Sequence, residues 1–191
     1  MAHRFDQIVV IDIEATCWNS PPPPGQVNEI IEVGVCTLDL QSGERLTKES
    51  LLVKPIQSTV GPFCTELTGI TTMMLVEHGQ SFAKACLRLR KDYLTKQRVW
   101  ASYGDYDRRM FEKQCADRNI PYPFGTTHLN VKSLFALMMG LSHEVGLKEA
   151  LERLNLPLEG QHHRGDDDAW NTAQILATLL IPIRVMLQNQ P

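Results

Sequence analysis

The 191-residue chain predicts an α/β domain built on a mixed sheet, and three observations carry that prediction. The run Ile8-Val9-Val10-Ile11 has the make-up of a strand buried on both faces. Two strand-like stretches, residues 29–40 and 45–53, follow with no helix between them, which calls for antiparallel pairing in a meander. Beyond them, helical periodicity alternates with short apolar strands, so helices have to pack on the sheet.

Taken in order, the first strand leads into Asn19-Ser20-Pro21-Pro22-Pro23-Pro24-Gly25, where four prolines exclude both helix and central strand. This loop is a stiff connector or one wall of a site at the strand's end. The strand over 29–40 turns at Gln41-Ser42-Gly43, and its partner stops at Pro55. Glu32 interrupts an apolar pattern there and reads as structural or as a support behind a site, because its place along the strand gives no pairing with Asp12. Short helical turns surround Phe63, Leu67 and Ile70, before an amphipathic helix over 81–96 with Phe82, Ala85, Leu89 and Tyr93 on one stripe. Its basic residues Arg88, Arg90, Lys91 and Lys96, with Arg98 just beyond, read as a solvated face or as phosphate contacts.

A short strand at 99–101 precedes a helix over 105–118 that turns Met110, Phe111, Gln114 and Cys115 inward. A strand at 128–131 and helices at 132–139 and 146–153 come next. The last helix starts within Asp166-Asp167-Asp168. Its stripe Asp168, Thr172, Ile175, Leu179 faces the sheet. No repeat or linker breaks the chain, so a single domain over 1–191 is expected, with its core at about 6–182.

Net charge is −3, which neither announces nor excludes a nucleic-acid partner. Five cysteines without a C-x-x-C pair argue against a zinc site or a disulfide framework. They fit reduced thiols and a cytoplasmic protein. The first strand begins too early for a signal peptide, and the apolar stretch 175–187 contains Pro182 and Arg184, so no membrane partner is expected.

The chemistry starts at Asp12-Ile13-Glu14. Alternation along a strand points both carboxylates to one side, about 7 Å apart. At the end of a buried strand they repel each other and lose solvation, a cost that a divalent cation removes. Hard oxygen ligands suit Mg²⁺ or Mn²⁺. Asp107 and Asp168, each starting a helix, could complete such a site, although acids also favour helix N-termini as caps. His163 stands five residues before Asp168 on a polar loop. A histidine placed there is a candidate base, because its ordinary pKa leaves it mostly neutral at about pH 7.

Together, Asp12-x-Glu14-x-Thr16, Tyr106-Asp107 and His163-x4-Asp168 resemble the DEDDh branch of the DnaQ-like 3′–5′ exonucleases. Glu14-Ala15-Thr16-Cys17, Asn28-Glu29-Ile30-Ile31-Glu32 and Phe63-Cys64-x2-Leu67-Thr68-Gly69-Ile70-Thr71 are similar to its Eri/KapD-type exoribonuclease members. The likeness runs from Ile8 to about Leu180 in order and spacing. His162 stands five residues before Asp167, which leaves a second register open, but the small residue the pattern needs between histidine and acid is Gly165, favouring His163 with Asp168.

The resemblance implies a ribonuclease-H-like fold with helices on both faces of the sheet. It implies two divalent cations, Mg²⁺ or Mn²⁺, held by Asp12, Glu14, Asp107 and Asp168, with His163 as the base. The substrate would be a single-stranded 3′ end, with RNA favoured over DNA although no residue is assigned to a 2′-OH contact, and the product a nucleoside 5′-monophosphate. Phe63 and Leu67 would wedge against terminal bases, where residues alone suggest core packing. Tyr106, Ala15 and Trp18 would complete the substrate-binding group. One rival is a haloacid-dehalogenase-type phosphatase, whose motifs Asp12-x-Glu14-x-Thr16 and Gly165-Asp166 imitate, although that fold needs an apolar strand before the late acids. A non-catalytic nucleic-acid-binding module on the same fold is the other.

Overall fold

The computed structural model describes residues 5–188. Five strands form one sheet: β1 (Gln7–Ala15), β2 (Ile30–Asp39), β3 (Arg45–Leu52), β4 (Val99–Ser102) and β5 (His128–Asn130), in the spatial order β3-β2-β1-β4-β5. The β3-β2-β1 portion is the antiparallel meander, and β4 and β5 add in parallel. Among the described residues seven helices accompany it: α1 (Pro62–Thr68), α2 (Thr72–His78), α3 (Phe82–Asp92), α4 (Tyr106–Asp117), α5 (Val131–Met138), α6 (Leu147–Arg153) and α7 (Gly165–Gln188).

Alternation along β1 divides the core. Val9, Ile11 and Ile13 pack on one face with Phe82, Leu89 and Phe111 of α3 and α4. Ile8 and Val10 pack on the other with Phe135, Leu151, Ala169 and Leu176 of α5, α6 and α7. Both faces of the central strand are therefore covered, which is why its sequence is almost continuously apolar. Asp12 and Glu14 continue the Ile8, Val10 parity and so emerge on the α7 side. β3, at the sheet edge, shows the alternating exposure of a half-solvated strand.

Local signals set the element ends. Asp39 Oδ1 accepts the Gln41 and Ser42 amides at 2.9 and 2.8 Å, closing the β2–β3 turn. Thr71, Ser81 and Asn130 cap α2, α3 and α5 by accepting the Met74, Lys84 and Ser133 amides. The prolines of the 19–25 loop are exposed, while its return is anchored beside the end of β1. There Thr16 Oγ1 donates to the Val27 carbonyl at 3.0 Å, and Asn28 Nδ2 donates to the Thr16 carbonyl at 2.6 Å.

Several expectations are corrected. The helix expected over 81–96 stops at Asp92, because Leu94 takes a left-handed φ of 56°. Its basic residues are not one solvated face: Arg88 pairs with Glu49 and Asp92, and Arg98 pairs with Asp6. Val131 opens α5 rather than ending β5. α7 continues through Pro182 to Gln188, so it is long and apolar enough to cross a membrane, yet Ala169, Ala173, Ile175 and Leu176 are fully buried in the domain's second core.

Candidate active site

Four acids meet where β1 ends. Asp12 and Glu14 come from β1, Asp107 from the first turn of α4 and Asp168 from the first turn of α7. Oxygens of Asp12, Glu14 and Asp168 lie within 4.8 Å of one another. Glu14, Asp107 and Asp168 are buried, and Asp12 is half-buried. Asp107 is tied in from the other side: its Oδ1 accepts the Ile13 amide at 2.9 Å, on the strand residue between Asp12 and Glu14.

α7 reaches the sheet through close backbone contact. Asp12 is paired with Gly34 across β1 and β2, and a Cβ on Gly34 would lie 1.9 Å from the Gly165 carbonyl carbon. Only glycine at 34 lets the helix start touch the strand pair and deliver Asp168 to Asp12 and Glu14. Glu32, which as expected does not pair with Asp12, is the residue opposite Glu14. It is fully buried and accepts the Arg164 guanidinium at 3.0 Å and the Gly165 amide at 2.8 Å.

Packed together, these groups resist ionisation. Burial, followed by the charges of Asp107, Asp168, Glu14 and Glu32, holds the Asp12 carboxyl well above the usual carboxylate range. Burial and then Asp168 and Glu32 push Glu14 up to about 9. Asp107 is pushed up to about 6 by burial, against the Ile13 hydrogen bond. Burial also raises Asp168, with the His162 contact opposing it. An all-oxygen, anionic donor set in this state fits a hard divalent cation, whose charge would reverse each of these shifts.

Both loop histidines reach the site, by different atoms. His162 Nδ1 lies 3.0 Å from Asp168 Oδ2, whereas His163 donates its backbone N–H to the same oxygen at 2.9 Å. The two rings stack at 4.0 Å, and His163 takes a left-handed φ of 65°. Burial and then His162 hold the His163 imidazole below its ordinary pKa.

The groups expected at a substrate end frame the same corner. The Cys64 thiol donates to the Ala15 carbonyl at 3.6 Å, which seats α1 beside the end of β1. Phe63 is 37 % exposed and Leu67 half-buried on that helix, while Tyr106 is 55 % exposed. Ala15 is buried and Trp18 half-buried. Phe63 is therefore not a core residue, as its type alone would suggest. The segment before Asp166 is irregular, without the apolar strand that a haloacid-dehalogenase arrangement requires.

A family model described as an exonuclease, RNase T, matches residues 9–176. The chain belongs to this exonuclease family. The chain is similar to human ERI1 exoribonuclease 3, with 29 % identity over 187 residues, covering 92 % of this chain and 54 % of that protein. Human 3′-5′ exoribonuclease 1 is also 29 % identical, covering 92 % and 53 %. The chain thus spans about half the length of the curated relatives it matches. Among solved structures, the nuclease domain of 3′hExo, a DEDDh family member bound to rAMP, superposes with a TM-score of 0.76 at 27 % identity, covering 97 % of this chain and 94 % of that one.

Sequence reasoning left three residues of this acidic site without an assigned contact. Glu32 was legible as a structural or supporting acid, but not its partners. Arg164, between the histidines and Asp168, was given no role. Ser102, fully buried at the end of β4, lowers Asp107 by hydrogen bonding and lies 2.8 Å from His128 Nε2. Its signal was slight: a serine closing an apolar run.

Proposed function

We propose that this chain is a divalent-cation-dependent 3′–5′ exonuclease that acts on single-stranded RNA 3′ ends and releases nucleoside 5′-monophosphates. The convergence of Asp12, Glu14 and Asp168 within 4.8 Å carries the reading, with a histidine loop on Asp168 and Asp107 fastened alongside. Likeness to exoribonucleases over nearly all of the chain supports RNA as the substrate.

Asp12, Glu14 and Asp168 would hold Mg²⁺ or Mn²⁺, with Asp107 adjacent. A pair of such ions, when bound, neutralises charge building on the phosphodiester and acidifies the attacking water. Asp107 keeps α4 pinned to β1, so the ligating oxygens do not have to reorganise. His163, held neutral by its surroundings, accepts the proton of the attacking water as the P–O3′ bond breaks in line, and the departing 3′-oxygen of the shortened strand takes up a proton from solvent. Phe63 and Leu67 on α1, with Tyr106, Ala15 and Trp18, receive the terminal nucleotide. A stacked base contributes about 1–3 kcal/mol with little sequence preference.

The test is digestion of 5′-labelled single-stranded RNA and DNA with Mg²⁺, Mn²⁺ or EDTA, resolved by length, beside Asp12→Ala. The expected result is a ladder shortening from the 3′ end of RNA, absent in EDTA and with the variant. Strands that are bound but stay intact under every metal condition would establish a binding module instead.

A further inference from the structure

Glu32 is not among the clustered oxygens of Asp12, Glu14 and Asp168, yet it contacts the start of the helix that carries Asp168. It is fully buried in β2, directly opposite Glu14. Both of its oxygens are engaged: Oε1 by the Ser50 hydroxyl and Arg164 Nη2, Oε2 by the Gly165 amide. Gly165 is the first residue of α7, and amides in a helix's first turn have no acceptor within the helix. Arg164 in turn accepts the Asp168 amide at 2.8 Å through its carbonyl. A continuous hydrogen-bonded path therefore runs from Glu32 through Arg164 and Gly165 to Asp168 and to the loop bearing His162 and His163.

We propose that Glu32 is the positioning residue of this site, a carboxylate supplied by β2 that caps α7 from outside and holds Asp168 and the histidine loop against β1. Asp166 and Asp167 do not substitute for it. Asp167 turns outward to Lys48 and the Gln161 amide. Without the Glu32 contact, α7 keeps its hydrophobic stripe in the core but loses the fixed height of its first turn. That height decides whether the Asp168 oxygens fall within reach of Asp12 and Glu14. Residues that orient ligands in this way are worth about 10–100-fold in metal affinity or activity.

The activity part of this inference rests on the nuclease reading; the cation-binding and exchange parts do not. Glu32→Gln preserves shape and one acceptor while removing the charge that holds Arg164. Three measurements decide: Mn²⁺ affinity by calorimetry, hydrogen exchange of amides 161–168, and steady-state digestion of single-stranded RNA. Expected are a loss of about 10–100-fold in Mn²⁺ affinity, faster exchange confined to 161–168, and a similar fall in kcat. KM for the strand should hold, because α1 is untouched. Unchanged Mn²⁺ affinity and unchanged exchange overturn the proposal. If Glu32→Gln does not fold, Arg164→Met, at a side chain 22 % exposed, removes the guanidinium arm of the path while leaving the Glu32–Gly165 contact, and is read by the same measurements with a smaller expected loss. A wild-type chain that binds Mn²⁺ but digests nothing would fail the nuclease reading alone.

Discussion

The Ile13 amide donates to Asp107 Oδ1 at 2.9 Å, joining the first turn of α4 to the one residue of β1 that separates Asp12 from Glu14. The bond crosses 94 residues of sequence and places a third acid beside the first two. One Asp107 oxygen thereby anchors the strand while the carboxyl's charge stands beside the other acids, so charge and anchoring can be separated by mutation. Asp107→Asn keeps an acceptor for Ile13 and should fold normally while losing nearly all turnover. Asp107→Ala also strands a buried amide, adding a stability loss of about 1–3 kcal/mol. Denaturant melts alongside digestion assays test this; equal stability of the two variants would show that the bond contributes nothing.

Cation binding should stabilise the fold more strongly as pH rises. Unfolded carboxylates ionise near pH 4, whereas Glu14 in the folded chain rises to about 9 and Asp107 to about 6. Over that window the unfolded state gives up protons first, so cation-free stability falls as pH rises from about 4 toward 9. Ions that occupy the cluster remove the penalty and release protons on binding. Thermal melts should show a larger Mn²⁺-induced gain at about pH 8 than at about pH 5, lost in Asp12→Ala. A gain that does not change with pH would mean the acids are already ionised.

His163→Ala should lower kcat by about 10²–10⁴-fold with little change in KM, the usual worth of a general base. His162→Ala removes the ring contact to Asp168 and should cost less, about 10–100-fold. Should His162→Ala prove the more damaging, the proton-accepting role moves one residue toward the N-terminus. Single-turnover assays on one oligonucleotide suffice.

Gly34→Ala tests the close approach of α7 to the strand pair. Its new Cβ would overlap Gly165 and lie 2.3 Å from the Asp166 amide nitrogen, all backbone that cannot rotate away. Overpacking of this kind costs about 1–3 kcal/mol, and α7 must move to relieve it. The expected outcome is a lower melting temperature together with loss of Mn²⁺ binding. Retained binding in a destabilised protein would show that Asp168 does not need this contact.

Most of the element order was legible because each element carries its own period. β1 is apolar on both faces since helices cover both, and α7 keeps Asp168 in register with Thr172 and Ile175, so its inward turn can be read from the chain. The extent of the basic helix was not legible. Its stop at Asp92 depends on the turn through Leu94, and Arg88 and Arg98 find their acids on β3 and at Asp6, far away in sequence.

The sequence by itself determined which residues could do the chemistry: a pair of acids at the end of an apolar strand, two more at helix starts, and histidines on a polar loop. Tertiary structure alone decided how they meet. The register of β2 on β1 is set across an irregular loop that carries no pairing signal, and it puts Glu32 opposite Glu14 and Gly34 opposite Asp12. Glycine's missing side chain then lets α7 descend, and Glu32 holds it at that height. Contacts of this kind join distant stretches through backbone approach, so periodicity within any one stretch does not encode them.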